Sequence, residues 1–132
     1  MDVIICEKAY PLYYLSWVGM PTGIIGIIYQ KPILGSCVCI GSLLAQNYWR
    51  NPTYGFRRNI DIIWIQFLIW LHLWYIWNTH IRTIYCAIQL SGVFCYCYSW
   101  HQQKYKNIEK AIFYHGLVHI CANVSLLIFY LH

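Results

Sequence analysis

The sequence predicts an all-α fold: a polytopic bundle of about five transmembrane helices forming a single domain over residues 1–132. Three observations predict it. Of the 132 residues, 60% are hydrophobic and 10% charged, against about 45–50% and about 25% in soluble domains. A water-soluble fold of this size has too little interior to hide so much apolar surface. The apolar residues fall into five runs of about 17–22 residues, close to the roughly 20 needed to cross a hydrocarbon core. Aromatic side chains make up 19%, with seven Trp and thirteen Tyr, as expected where rings anchor helix ends at the headgroup level.

The first run covers residues 10–29, where Pro21 and several glycines predict a kink or a close helix contact. Gln30, Lys31 and Pro32 form a tight turn. The second run, residues 33–49, is rich in small residues and short for a spanning helix. A loop, RNPTYGFRRN, follows with Arg50, Arg57 and Arg58 beside Pro52 and Gly55. The third run, IDIIWIQFLIWLHLWYIW, ends at Asn78 and lacks the polar stripe that a helix of a soluble bundle carries. A short NTHIR turn leads into the fourth run, residues 83–100, and HQQKYKNIEK precedes the last, residues 111–130. No internal repeat is visible. The opening MDVIICEKAY lacks a basic n-region, an uninterrupted apolar stretch and a small-residue cleavage site, so the first helix is expected to stay in place as an anchor.

The formal charge is +5, but the nine Lys and Arg residues sit between apolar runs rather than in one tract. That pattern reads as topology and argues against nucleic acid as a partner. With five crossings, one side receives Lys8, Arg50, Arg57, Arg58, Lys104, Lys106 and Lys110, and the other only Lys31 and Arg82. The asymmetry predicts the N-terminus inside and the C-terminus outside. Removing the second crossing would put residues 50–58 and 104–110 on opposite sides, so the charges favour five crossings over four. Apart from Cys6, the cysteines fall within apolar runs, where a thiol packs as a small hydrophobe. Cys37 with Cys39, and Cys95 with Cys97, point to nearly opposite helix faces, so neither pair can chelate an ion.

Ionisable groups within a span cost about 2.5–3.5 kcal/mol on insertion scales and are functional candidates by default. His115 and His119 share a face of the last helix at i,i+4, the spacing at which a helix presents two imidazoles to one metal, and Asn123 continues that face. Gly116 beside them would let a neighbouring helix approach. Asp61 opens the third helix, and Ser42 and Gln46 line the end of the second. With Asn47 and His101, these groups fall at one depth, toward the cytoplasmic leaflet. The competing account is that they hydrogen-bond across helices and hold the bundle together, and Asp61 also suits a helix start through the macrodipole. His72 lies on roughly the face of Asp61, eleven residues on. His80 and His132 lie near the outer interface and are expected to be solvated.

The order Ser42 and Gln46 at the end of the second helix, Asp61 at the start of the third, and His115-x-x-x-His119 in the last resembles a known pattern. It is similar to that of the membrane hydrolase superfamily that includes alkaline ceramidases and the progestin and adipoQ receptors. Members have seven helices and a zinc ion held by three histidines, while Ser and Asp assist attack of water on a lipid amide. The resemblance implies catalytic roles for Ser42 and Asp61, zinc ligation by His115 and His119, and membrane lipid as substrate. The pattern's first histidine falls on Gln46, and two helices are missing from the middle. Asp61 would then be the third ligand of a two-histidine, one-carboxylate zinc set. Two other functions compete: a b-type haem protein ligated by His72 with His119 or His115, and a structural or assembly subunit of a larger membrane complex or homo-oligomer. A transporter would call for paired broken helices in two corresponding halves, and the sequence has none.

Overall fold

A computed structural model of the chain describes residues 8–132; Cys6 and most of the opening MDVIICEKAY segment lie outside the described residues. Within them every regular element is a helix: α1 (Tyr10–Ser16), α2 (Gly19–Ile28), α3 (Pro32–Trp49), α4 (Phe56–Ile76), α5 (Arg82–Lys104) and α6 (Ile108–Tyr130). Together, α1 and α2 form one broken element, Tyr10–Ile28. The break falls at Trp17 and Val18 rather than at Pro21 itself. Proline has no N–H for the carbonyl four residues back and its ring crowds that carbonyl, which here belongs to Trp17. The chain crosses the gap with tighter bonds, Val18 N to Leu15 O at 3.1 Å and Met20 N to Trp17 O at 3.0 Å.

Two helix ends stop in the same way. Gln30 has φ 61° after α2, and Lys106 has φ 59° after α5. Lys31 N reaches back to Gly26 O, and Asn107 N to Gln102 O, so the last free carbonyls are satisfied before the next helix starts. Helices α4, α5 and α6 each run three or four residues beyond the apolar stretches that announce them. The apolar run marks what faces hydrocarbon, whereas Phe56–Arg58 and His101–Lys104 are helical with polar side chains at the ends.

Three helices, Tyr10–Ile28, Phe56–Ile76 and Ile108–Tyr130, are long and apolar enough to cross a membrane, with mean hydropathies of 1.2, 1.3 and 1.7. Burial on α4 fits a lipid environment, because it runs opposite to a soluble helix. Its buried residues are Asp61, His72 and Ile76, while Ile63, Trp70 and Trp74 are 67%, 70% and 83% exposed. In water the polar side would face out and the large apolar side in. The chain is a membrane-helix bundle.

The closest approach is between α2 and α3. A Cβ on Gly35 would run into the Gly23 carbonyl oxygen, and one on Gly23 would lie 2.6 Å from Gly35 O. Small residues at such crossings let backbones meet where no hydrophobic force acts between helices. The other packed pairs are α5 on α6, α3 on α4, α1 on α3 and α6, and α2 on α6. Helices α4 and α5 are joined by a short connector but are not a packed pair. Two apolar clusters complete the bundle. One joins Leu34, Val38, Ile76, Ile81, Tyr85, Leu126, Phe129 and Tyr130 at the connector end. The other joins Ala9, Leu12, Ala45, Tyr48 and Trp49 at the end that carries most of the basic residues.

Candidate functional site between helices α4 and α5

Because α4 leans on α3 while α5 leans on α6, a cavity of about 510 Å³ is left between the two halves. Its lining runs on α4 from Arg58 to His72 and on α5 from Tyr85 to Gln103. At the connector end the floor is formed by His72, Tyr85 and Leu126. Most of the wall is apolar, with a few polar groups converging on it, the usual make-up of a ligand site.

Ser42, Asp61, His115 and His119 all line this cavity, as do His72 and Asn123. Asp61 is 5% exposed, and among the described residues its Oδ1 has no hydrogen-bond partner; His119 Nε2 and Asn123 Oδ1 likewise have none. Asn123 Nδ2 donates to His119 O at 2.8 Å, which holds the amide with its oxygen free. His115 sits against Trp49 of α3 and Tyr96 of α5, with ring centroids 4.8 and 5.8 Å away, and 5.6 Å from His119. Gly116, next to it, lets α1 come close: a Cβ there would meet Leu15 Cδ1 at 3.1 Å.

No family model, curated protein or solved structure matches the chain. The site therefore stands on its own geometry.

Ser42 donates its hydroxyl proton to Ser16 O at 2.6 Å and accepts from Gln46 Nε2 at 3.1 Å. It ties α3 to the α1–α2 element, and Gln46 supports that tie from the position where the resemblance expects a histidine. For zinc, His115 and His119 have a ring separation that two imidazoles on one ion can adopt, given Zn–N bonds of about 2.0–2.1 Å. A catalytic zinc takes three protein ligands. Among the described residues no three His, Cys, Asp or Glu side chains are grouped to hold a metal ion. Asp61 shares the cavity with the two histidines without completing that set, so the residues as arranged do not fit a resident zinc.

His72 is engaged at both ring nitrogens, 2.8 Å from Leu68 O and 2.9 Å from the Tyr130 hydroxyl, which leaves neither for haem iron. Asn47 and His101, expected at the same depth, are exposed and lie off the cavity. His80 and His132 are exposed at the other end, with rings 6.2 Å apart. The described cysteines are all free thiols. Sequence reasoning missed Trp49 and Tyr96, which enclose His115, because nothing distinguishes them from the many interfacial aromatics. It also missed Gln66 and Gln89, cavity-lining amides. Their signal was available: each is an uncharged polar residue in the middle of an apolar run.

Proposed function

We propose that this chain is a multi-pass membrane protein, crossing five times with its N-terminus cytoplasmic, that takes up a membrane lipid between α4 and α5. The orientation is supported by seven Lys and Arg residues at one end against two at the other. One observation carries the lipid reading. Asp61 Oδ1, His119 Nε2 and Asn123 Oδ1 are buried polar atoms without partners among the described residues, and all three residues line one cavity.

A buried polar atom left unpaired costs about 1–3 kcal/mol. Three of them are a large fraction of a typical folding stability of about 5–15 kcal/mol. An occupant that supplies hydrogen bonds removes that cost. Asp61 Oδ1 and Asn123 Oδ1 are acceptors in their ionised and amide forms and ask for donors. The walls around them, including Ile62, Ile69, Val93 and Leu126, suit a hydrocarbon chain. A lipid with a polar head and an acyl tail satisfies both, and the gap between α4 and α5 gives it a lateral entrance.

The test is native mass spectrometry of the protein released from nanodiscs, with Ala122→Phe as a variant that fills the cavity from α6. One bound lipid per wild-type chain is expected, and loss of that lipid in the variant with helicity intact. Equal lipid retention by the two proteins would refute uptake at this site.

A second reading, metal-dependent hydrolysis of a lipid amide, draws on the 5.6 Å spacing of the His115 and His119 rings alone, since a third ligand is not in place among the described residues. It requires the Asp61 carboxylate to close onto the histidine pair. Elemental analysis of the purified protein separates the two readings. Hydrolysis calls for about one zinc per chain, lost in His115→Ala and His119→Ala; a metal-free wild type rules it out.

A further inference from the structure

We propose that the cavity selects lipids with an anionic headgroup and that Arg58 holds the anion. This rests on the lipid-uptake reading and adds the class of head. Arg58 stands in the first turn of α4, half-buried, and lines the cavity at the end where most of the basic residues gather. Its guanidinium lies 5.2 Å from the ring centroid of Tyr54, which lines the cavity too. Across the gap, on α5, the Lys104 ammonium lies 5.0 Å from the ring centroid of Trp100, another lining residue. Arg58 therefore lines the mouth itself, while Lys104 is an exposed cation outside the lining, seated on a ring that lines the facing wall.

Among the described residues, neither cation has a carboxylate at ion-pair distance. The ion pair among the described residues is Lys8, in the segment before α1, with Glu109 of α6 at 3.9 Å. Asp61 is the one carboxylate in the cavity lining among the described residues, and it lies three residues deeper than Arg58 without reaching ion-pair distance. A guanidinium presents a planar fork of donors that matches phosphate or carboxylate oxygens, and it is less strongly hydrated than an ammonium, which suits a half-buried position. Partial burial also spares it the salt screening of an open surface.

The depth of the cavity suits the rest of the molecule. From Arg58 to His72 are fourteen residues of helix, about 21 Å at 1.5 Å per residue. A head held at Arg58 would leave its linker level with Asp61 and His119, where a linker hydroxyl or amide N–H can donate to the carboxylate, and its acyl chain running toward Leu126 and Tyr85.

The experiment uses the full-length protein in nanodiscs containing equal amounts of phosphatidic acid and phosphatidylcholine with identical acyl chains, with bound lipid identified by native mass spectrometry. Wild type is expected to enrich the anionic lipid roughly tenfold. Arg58→Gln should bring the bound ratio close to that of the bilayer while lipid is still bound, and Lys104→Gln, at an exposed site, should lower the enrichment in part. Bound lipid at the bilayer ratio in wild type, or full enrichment retained in both variants, would overturn the assignment of the head and leave lipid uptake standing. A wild type with no bound lipid would overturn uptake itself. A parallel arm adds inorganic phosphate: displacement of the anionic lipid by phosphate alone would assign the site to a soluble anion and also overturn the proposal.

Discussion

The Nε2 of His72 lies 2.9 Å from the Tyr130 hydroxyl, joining α4 to α6 across the floor of the cavity. The contact fixes the state of the ring. Leu68 O, 2.8 Å from Nδ1, can only accept, so Nδ1 carries a proton. In the neutral ring Nε2 is then an acceptor, and Tyr130 donates to it. Both groups are almost completely buried, and the histidine ties together α4 and α6, which are not otherwise a closely packed pair.

Tyr130→Phe removes the donor and leaves Nε2 unpaired. The expected loss is about 1 kcal/mol, in the range of interhelical hydrogen bonds in membranes, read as a lower midpoint of unfolding in detergent. A double-mutant cycle with His72→Leu should show coupling between the two sites, and additive effects would contradict the tie.

Gly35→Ala is expected to cost about 1–3 kcal/mol, because the new methyl would meet the backbone of α2, the Gly23 oxygen and the Ile27 nitrogen at 2.7 Å. Gly92→Ala makes the contrast. Its Cβ would meet only Cys121 Cβ, at 3.3 Å, and a better helix former there offsets the crowding by up to about 1 kcal/mol. Thermal unfolding should rank Gly35→Ala well below wild type and Gly92→Ala beside it.

Ser42→Ala separates a tie from a catalytic group. Loss of the bonds to Ser16 O and Gln46 is expected to lower stability by about 0.5–1.5 kcal/mol, while bound lipid in nanodiscs stays unchanged. Unchanged stability with altered lipid turnover would point to chemistry at the hydroxyl.

Orientation is open to labelling. With the native cysteines replaced, single cysteines at Arg57→Cys and Lys106→Cys should react with a membrane-impermeant maleimide from the same side, and Asn78→Cys from the opposite one. Reaction of the first two from different sides would remove the five-crossing topology.

Helix positions were legible in the sequence because hydrocarbon demands long apolar runs, and the run around residues 33–49 matches α3 closely. Ends were less legible. The polar turns Phe56–Arg58 and His101–Lys104 continue their helices through backbone bonds that no hydropathy pattern records. The convergence of Ser42, Asp61, His115, His119 and Asn123 on one cavity was readable from depth along each helix together with helical phase. What they do there was not. The partners of Ser42 lie on α1 and α3, and the aromatic enclosure of His115 comes from α3 and α5. Those contacts depend on which helices pack together, which spacing along the chain does not encode.

Helix α4 is held along one side, by α3 through contacts such as Trp64 Nε1 to Cys37 O at 3.0 Å, and at its far end by Tyr130. Its 21 residues span about 31 Å, close to the thickness of a bilayer's hydrocarbon. A thinner bilayer is met by tilting such a helix, and here the free direction of tilt is the one that sets the width of the slot beside α5. Membrane thickness thereby becomes a property of the binding site, acting on it as a second, unbound ligand would.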